Sequence, residues 1–227
     1  MLSLEDVQRL SGELKIDRER IIREYFELLV LSELSNRTWS KSLIFKGGTA
    51  LRLAYGSPRF SDDLDFSLVD TVRKDTLFTF AAETSNKYDL KIRDKWEKRH
   101  TMLVEFQIHQ PYLPQAFRLK IEISKRKSRS LKYELKLLKS PVAPFEVLFN
   151  VQTLESILDD KLKSLSQRSE PRDLFDIWYI SKRIDEPVPK IEQKVDTKRV
   201  GQTLNKYLPE QWKFMLDEII EEIKRNR

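Results

Sequence analysis

Apolar positions near the start of the chain recur at three- and four-residue intervals. Leu4, Val7 and Leu10 follow Ser3, whose hydroxyl suits a helix N-cap, and predict a short first helix. Ile21, Ile22, Tyr25, Phe26, Leu28 and Leu29 predict a longer helix over residues 17–36 with a core-facing stripe. The run Leu43-Ile44-Phe45 predicts a short buried strand. A helix over 49–55 follows, stopped by Gly56. Leu64 between Asp63 and Asp65 carries the alternation of a half-buried strand. Residues 71–88 read as a helix, and 90–96 with 102–109 as paired strands joined through 97–100. Over 117–124, Phe117, Leu119, Ile121 and Ile123 alternate with Arg118, Lys120, Glu122 and Ser124, so one face is buried and the other meets a cleft or solvent. After about residue 147 the pattern turns helical: a helix capped by Thr153 and running to 165, a second from near Arg172, and a last one over 209–224. Pro141 and Pro144 punctuate the chain just before this change. The expectation is an α/β (α+β) protein, with a mixed-sheet region and N-terminal helices over 1–148 and a helical region over 149–227.

Composition narrows the function classes. The 227 residues are 40% hydrophobic and 34% charged, with only 5 Gly and 9 Pro, which fits a folded globular chain. No cysteine is present, so disulfides, thiolate zinc sites and cysteine nucleophiles are excluded. The N-terminus lacks a basic and apolar leader, and no apolar run approaches the roughly 18 residues of a membrane span. A cytoplasmic protein without a membrane partner is expected. The formal net charge of +6 fits an anionic partner. Basic residues concentrate over 125–139, where Lys125, Arg126, Lys127, Arg129, Lys132, Lys136 and Lys139 face only Glu134 in opposition. The tract is either a solvated face or a contact for an RNA backbone.

The chemistry concentrates over 46–66. Asp63 and Asp65 are two residues apart on a predicted strand, so both carboxylates share one face. Like charges so close repel, and a divalent cation with hard oxygen ligands, Mg²⁺ or Mn²⁺, relieves them. Glu122, on the polar face of its strand, supplies a third carboxylate, as a two-metal phosphoryl-transfer site requires. Gly47 and Gly48 lack Cβ atoms and precede a helix, so their backbone N–H groups suit a phosphate, with the Thr49 hydroxyl as a further donor. Lys46 precedes the glycines, so the loop is not a Walker A motif. Arg59 and Ser61, in the loop before the Asp63 strand, suit either a phosphate contact or a loop-to-strand hydrogen bond.

Gly47-Gly48 followed by Asp63-Leu64-Asp65 resembles the signature of the DNA polymerase beta-like nucleotidyltransferase superfamily. The fuller string, with Lys46 to Arg52, Tyr55-Gly56, Arg59, Ser61 and Phe66, is similar to the AbiEii/AbiGii toxin family. So is a second block formed by Asp160-Lys161, Arg168, Arg172-Asp173, Asp176 and Trp178. The resemblance implies a polymerase beta-like sheet domain followed by helices. It assigns metal binding to Asp63 and Asp65, phosphate binding to Gly47, Gly48 and Thr49, and a triphosphate contact to Lys161. Asp173 would orient Lys161 or assist proton transfer. Many relatives read Lys-x-Asp where this chain has Lys120-Ile121-Glu122. Arg168, Arg172 and Asp176 keep two readings, a surface ion pair or a buried Arg–Asp network joining the two halves. The implied activity is transfer of a nucleoside monophosphate from a nucleoside triphosphate to RNA, such as a tRNA 3′ end, by a toxin held in check by a cognate antitoxin. The rival readings are a nucleotidyltransferase that modifies protein, a phosphotransferase on the same site, and an inactive binding scaffold.

Overall fold

In a computed structural model the described residues are 2–127, 131–167, 170–191 and 196–225. The chain starts with two helices. Helix α1, Leu4–Leu14, is closed by a reciprocal capping box between Ser3 and Asp6. Helix α2, Arg18–Ser35, is capped by Asp17 and buried on nearly every face, including Arg23, Glu24 and Glu27. Strand β1, Leu43–Lys46, runs directly into α3, Gly47–Tyr55, which ends on Gly56 at φ 76°. Then come β2 (Asp63–Leu68), α4 (Lys74–Tyr88), β3 (Lys91–Glu97), β4 (Thr101–Ile108), β5 (Phe117–Ser124), β6 (Tyr133–Leu138) and β7 (Val147–Gln152). Helices α5 (Leu154–Gln167), α6 (Pro171–Arg183), α7 (Thr197–Leu204), α8 (Glu210–Lys213) and α9 (Leu216–Arg225) complete the described chain.

The seven strands form one mixed sheet in the order β3-β4-β5-β2-β1-β7-β6. β2 is antiparallel to β1 and parallel to β5, and β1 is parallel to β7. This register matters for the site. Lys46 lies opposite Asp65 on one side, and on the other Asp63 faces Lys120 while Asp65 faces Glu122. The strand alternation sends Leu64, Phe66, Ile121 and Ile123 into the core, where each is fully buried. Phe45, Phe66 and Phe149 meet there with ring centroids 5.3–6.3 Å apart, pinning the three strands that flank the site. Helix α2 packs against β5 and β7, and α5 packs against α6.

Two strands depart from the sequence expectation. The pattern was expected to turn helical at about residue 147, yet Val147–Gln152 is a strand and helix begins at Leu154. An apolar run this short carries no period of its own; its pairing with β1 and β6 decides its form. The basic tract likewise holds a strand, β6. Its alternating apolar residues Tyr133, Leu135 and Leu137 point outward, and only Leu138 at its end is buried, so a core-facing stripe gives no hint of it. The final helix, expected as one piece, is broken between Lys213 and Leu216. Among the described residues no helix is long and apolar enough to cross a membrane.

Candidate active site

The site forms where β1 passes into α3. Gly47 has φ 81°, a left-handed conformation that favours glycine, and a Cβ placed on it would stand 2.7 Å from Asp65 Oδ2. The loop therefore closes directly onto the carboxylate. Lys46 occupies the N-cap of α3 without a capping side-chain bond, so the helix presents its first N–H groups unoccupied by a cap. Gly48 is tight for another reason: a Cβ there would meet the Arg59 guanidinium at 2.3 Å and Ser61 Oγ at 2.7 Å.

Asp63, Asp65 and Glu122 project from one face of two neighbouring strands, and Lys120 lies among them. Its Nζ is 3.3 Å from Asp63 Oδ2 and 3.4 Å from Glu122 Oε2. Burial works against the Lys120 ammonium, but Asp63, Glu122 and Asp65 outweigh it and hold its pKa above that of an ordinary lysine. Burial pushes Asp65 up to about 6, and the charges of Asp63 and Glu122 add to this against Lys120 and Lys46. The carboxylates thus exceed the positive charge near them. Among the described residues no three or more His, Cys, Asp or Glu side chains stand grouped for a metal ion. The donor chemistry nevertheless fits a hard divalent cation: carboxylate oxygens on adjacent strands, with the Asp65 carboxyl raised by burial and then by its like-charged neighbours.

Beyond the carboxylates opens a cleft of about 420 Å³, a volume in the range of small-molecule sites. Lys46, Gly47, Asp65 and Glu122 line it from the sheet, and Asp160, Lys161 and Asp173 from α5 and α6. A larger cavity of about 790 Å³ lies beside Arg52, Lys139 and Pro144, away from these carboxylates. It is the roomier of the two, but it lacks the facing carboxylates and the helix N-terminus that give the smaller cleft its chemistry.

Several expected site residues fall elsewhere. Thr49 is buried, and its hydroxyl donates to the Asp63 carbonyl at 2.6 Å. It ties the glycine loop to the carboxylate strand and has no free proton for a phosphate. Arg59 is also buried; its Nε and Nη2 donate to the two Asp176 oxygens at 2.8 Å each, and Nη1 donates to the Phe60 carbonyl. That fork joins the loop before β2 to α6 and replaces the expected phosphate contact. Ser61 stands by Gly48. Lys161 reaches the cleft wall, with its Nζ 2.8 Å from Asp173 Oδ1 and 2.6 Å from Asp176 Oδ2. Burial opposes its charge, yet the two aspartates hold its pKa above the ordinary value. Asp176 is held below the usual carboxylate range because Arg59 and Lys161 overcome the burial penalty. Of the two readings of Asp176, the structure shows the buried network. Arg172 instead reaches Asp62 Oδ2 at 3.3 Å. Arg168 and Arg129 lie outside the described residues.

Sequence reasoning passed over three participants. Lys120 was seen only as a strand neighbour of Glu122; its shared parity was the available signal. Lys46 was noted only for preceding the glycines. Asp62 had no role, yet it receives Arg20, Arg23, Arg172 and the Tyr207 hydroxyl. Nothing local in the sequence distinguishes it from its neighbour Asp63.

A mixed sheet in which a glycine loop and helix N-terminus face strand-borne carboxylates defines a nucleotidyltransferase fold. The chain is similar over this fold to JHP933 from Helicobacter pylori, at TM-score 0.55 and 18% identity, covering 92% of this chain and 95% of that one. It is also similar to a candidate nucleotidyltransferase of H. pylori, at TM-score 0.50 and 18% identity, covering 100% and 99%. No curated protein matches the chain significantly. The family model described as nucleotidyl transferase AbiEii toxin, type IV TA system, matches residues 29–226, and the chain belongs to that family. Nucleotidyl transfer within a type IV toxin–antitoxin system is the activity that membership carries.

Proposed function

We propose that the protein transfers a nucleoside monophosphate from a nucleoside triphosphate to an RNA hydroxyl, with Mg²⁺ or Mn²⁺ held by Asp63, Asp65 and Glu122. The observation that carries this reading is the placement of Asp65. It touches the glycine loop on one side and faces Glu122 on the other, at the mouth of a nucleotide-sized cleft. The cation supplies charge neutralisation at the phosphates when bound. The backbone N–H groups of Gly47 and Gly48 hold phosphate oxygens at the N-terminus of α3. Lys46 adds positive charge on the sheet wall of the cleft, and Lys161, paired with Asp173 and Asp176, offers its ammonium on the opposite wall. The acceptor hydroxyl attacks the α-phosphorus, the bond to the bridging oxygen breaks, and pyrophosphate leaves. Asp65 or Glu122 takes the hydroxyl proton. Asp173 fixes the position of Lys161.

An RNA acceptor is supported by the basic tract, from which Arg126 enters the cleft wall. Toxicity restrained by a cognate antitoxin, and a cytoplasmic setting, belong to the same reading. The test incubates the protein, and a D63A/D65A variant, with total RNA, Mg²⁺ and each α-³²P-labelled nucleoside triphosphate in turn. Label on RNA with the parent protein alone is expected. Label only on protein, or none with a folded parent, overturns the reading.

A further inference from the structure

Strand β6 forms one edge of the sheet, and its open face is apolar. Tyr133, Leu135 and Leu137 are 48%, 60% and 46% exposed, and Leu148, opposite Leu137 on β7, is 56% exposed. These are four of the eight large hydrophobic residues exposed among the described residues. Concentration on one strand pair sets them apart from ordinary scattered exposure. The other edge, β3, is defended. It carries an irregularity in register between Ile92 and Asp94, and Lys91, Arg93, Asp94, Lys95 and Glu97 line it.

The backbone of β6 has a definite phase. The Thr153 N–H donates to the Lys132 carbonyl at 3.0 Å, in the same register that pairs Tyr133 with Gln152. Even-numbered residues of β6 therefore turn their N–H and C=O groups toward β7. Tyr133, Leu135 and Leu137 turn theirs outward. Glu134 and Lys136 lie on the opposite face, 46% and 33% exposed, with Lys136 Nζ 3.1 Å from Glu134 Oε1.

We propose that β6 pairs antiparallel with β6 of a second copy of this chain, about a two-fold axis at Leu135. In that register the outward backbone groups of Tyr133, Leu135 and Leu137 meet those of Leu137, Leu135 and Tyr133 in the second copy. Glu134 lies opposite Lys136 of the second copy, and Lys136 opposite its Glu134. Sliding to the next pairing in either direction brings Glu134 against Glu134 or Lys136 against Lys136. Charge complementarity thus selects one register, and the contact is self-complementary, as a two-fold interface requires. Because directly opposed residues share a face, the axis runs perpendicular to the sheet. Both catalytic clefts then open on the same side of one continuous sheet.

The test is the mass in solution by sedimentation or light scattering over a range of protein concentrations. The parent is expected to approach twice the 27.1 kDa of one chain. L135K, on the exposed face, is expected to halve that mass while leaving the circular dichroism unchanged. E134K and K136E each place like charges across the axis and are expected to be monomeric alone. Mixed together they restore both opposite-charge pairs, and a heterodimer is expected. A parent that stays monomeric overturns the proposal, as does a dimer that survives L135K or a mixture that stays monomeric. Should E134K or K136E misfold, L135K and L148K decide the matter. A monomeric parent whose RNA labelling falls with L135K assigns the face to RNA and overturns the dimer.

Discussion

The cleft is bordered by two clusters of charge built on opposite principles. On the sheet side, Asp63, Asp65 and Glu122 outnumber Lys120, and Asp63 and Glu122 lie partly open to solvent. On the helix side, Arg59 and Lys161 balance Asp173 and Asp176, and Arg59 and Asp176 are almost wholly buried. The first cluster keeps an excess of negative charge, which is what the proposed cation would neutralise. The second cancels its charges and holds α5 and α6 against the loop before β2. Proximity to the cleft does not separate these roles; charge balance and burial do.

The strongest break of the comparison is D176A. It leaves the buried Arg59 and Lys161 without their shared partner and is expected to cost roughly 3–5 kcal/mol, read by denaturant unfolding. A variant as stable as the parent refutes the structural role given to this pair. The next concerns the sheet cluster. D65N is expected to lower transfer activity more than about a hundredfold, as loss of several kcal/mol of charge stabilisation implies, while the protein stays folded. Mg²⁺ is expected to raise the melting temperature of the parent and of D173N but not of D65N. An equal shift in D65N places the cation elsewhere.

The two clusters also answer oppositely to pH. Asp65 titrates at about 6 in the folded chain, above its unfolded value, so its contribution is full below about 4 and is lost as pH rises through 6. Without divalent cation, the parent is expected to lose stability relative to D65N across that window. Asp176 is lowered, so its contribution is present above the ordinary carboxylate range and is lost as pH falls through its folded value. Unfolding curves of both variants against the parent, taken from acid to neutral pH, check both signs.

Smaller effects refine the picture. G47A puts a side chain at φ 81° and against Asp65, and is expected to cost about 1–2 kcal/mol in stability and to reduce activity through displacement of that carboxylate. K120M removes the ammonium that stands between Asp63 and Glu122. It is expected to destabilise the cation-free protein by about 1 kcal/mol, with Mg²⁺ restoring most of the loss, as thermal unfolding would show.

The contiguous part of the site was legible in the sequence. A strand, a glycine pair, a helix and an Asp-x-Asp strand follow one another with clear period, and the alternation around Glu122 placed that carboxylate on the polar face. What was not legible depended on contacts between distant segments. The burial of Thr49 and Arg59 follows from what packs over them, Asp63 and Asp176, and a hydroxyl or guanidinium reads the same in sequence whether buried or open. Lys120 enters the carboxylate cluster only through the register of β5 against β2. Strand β6 was hidden because its apolar alternation faces outward within a run of lysines.

The loop over residues 57–62 gives the order of synthesis a meaning. Arg59 is held by Asp176, the Phe60 N–H donates to the Tyr207 carbonyl at 2.8 Å, and Asp62 receives Arg172 and the Tyr207 hydroxyl. All these partners leave the ribosome more than a hundred residues after the loop they secure. A nascent chain therefore holds this loop only through Arg20, Arg23 and its own local contacts until its helix-side support arrives. A chain cut before residue 172 carries the glycine loop and the aspartates without the helix-side scaffold that aligns them.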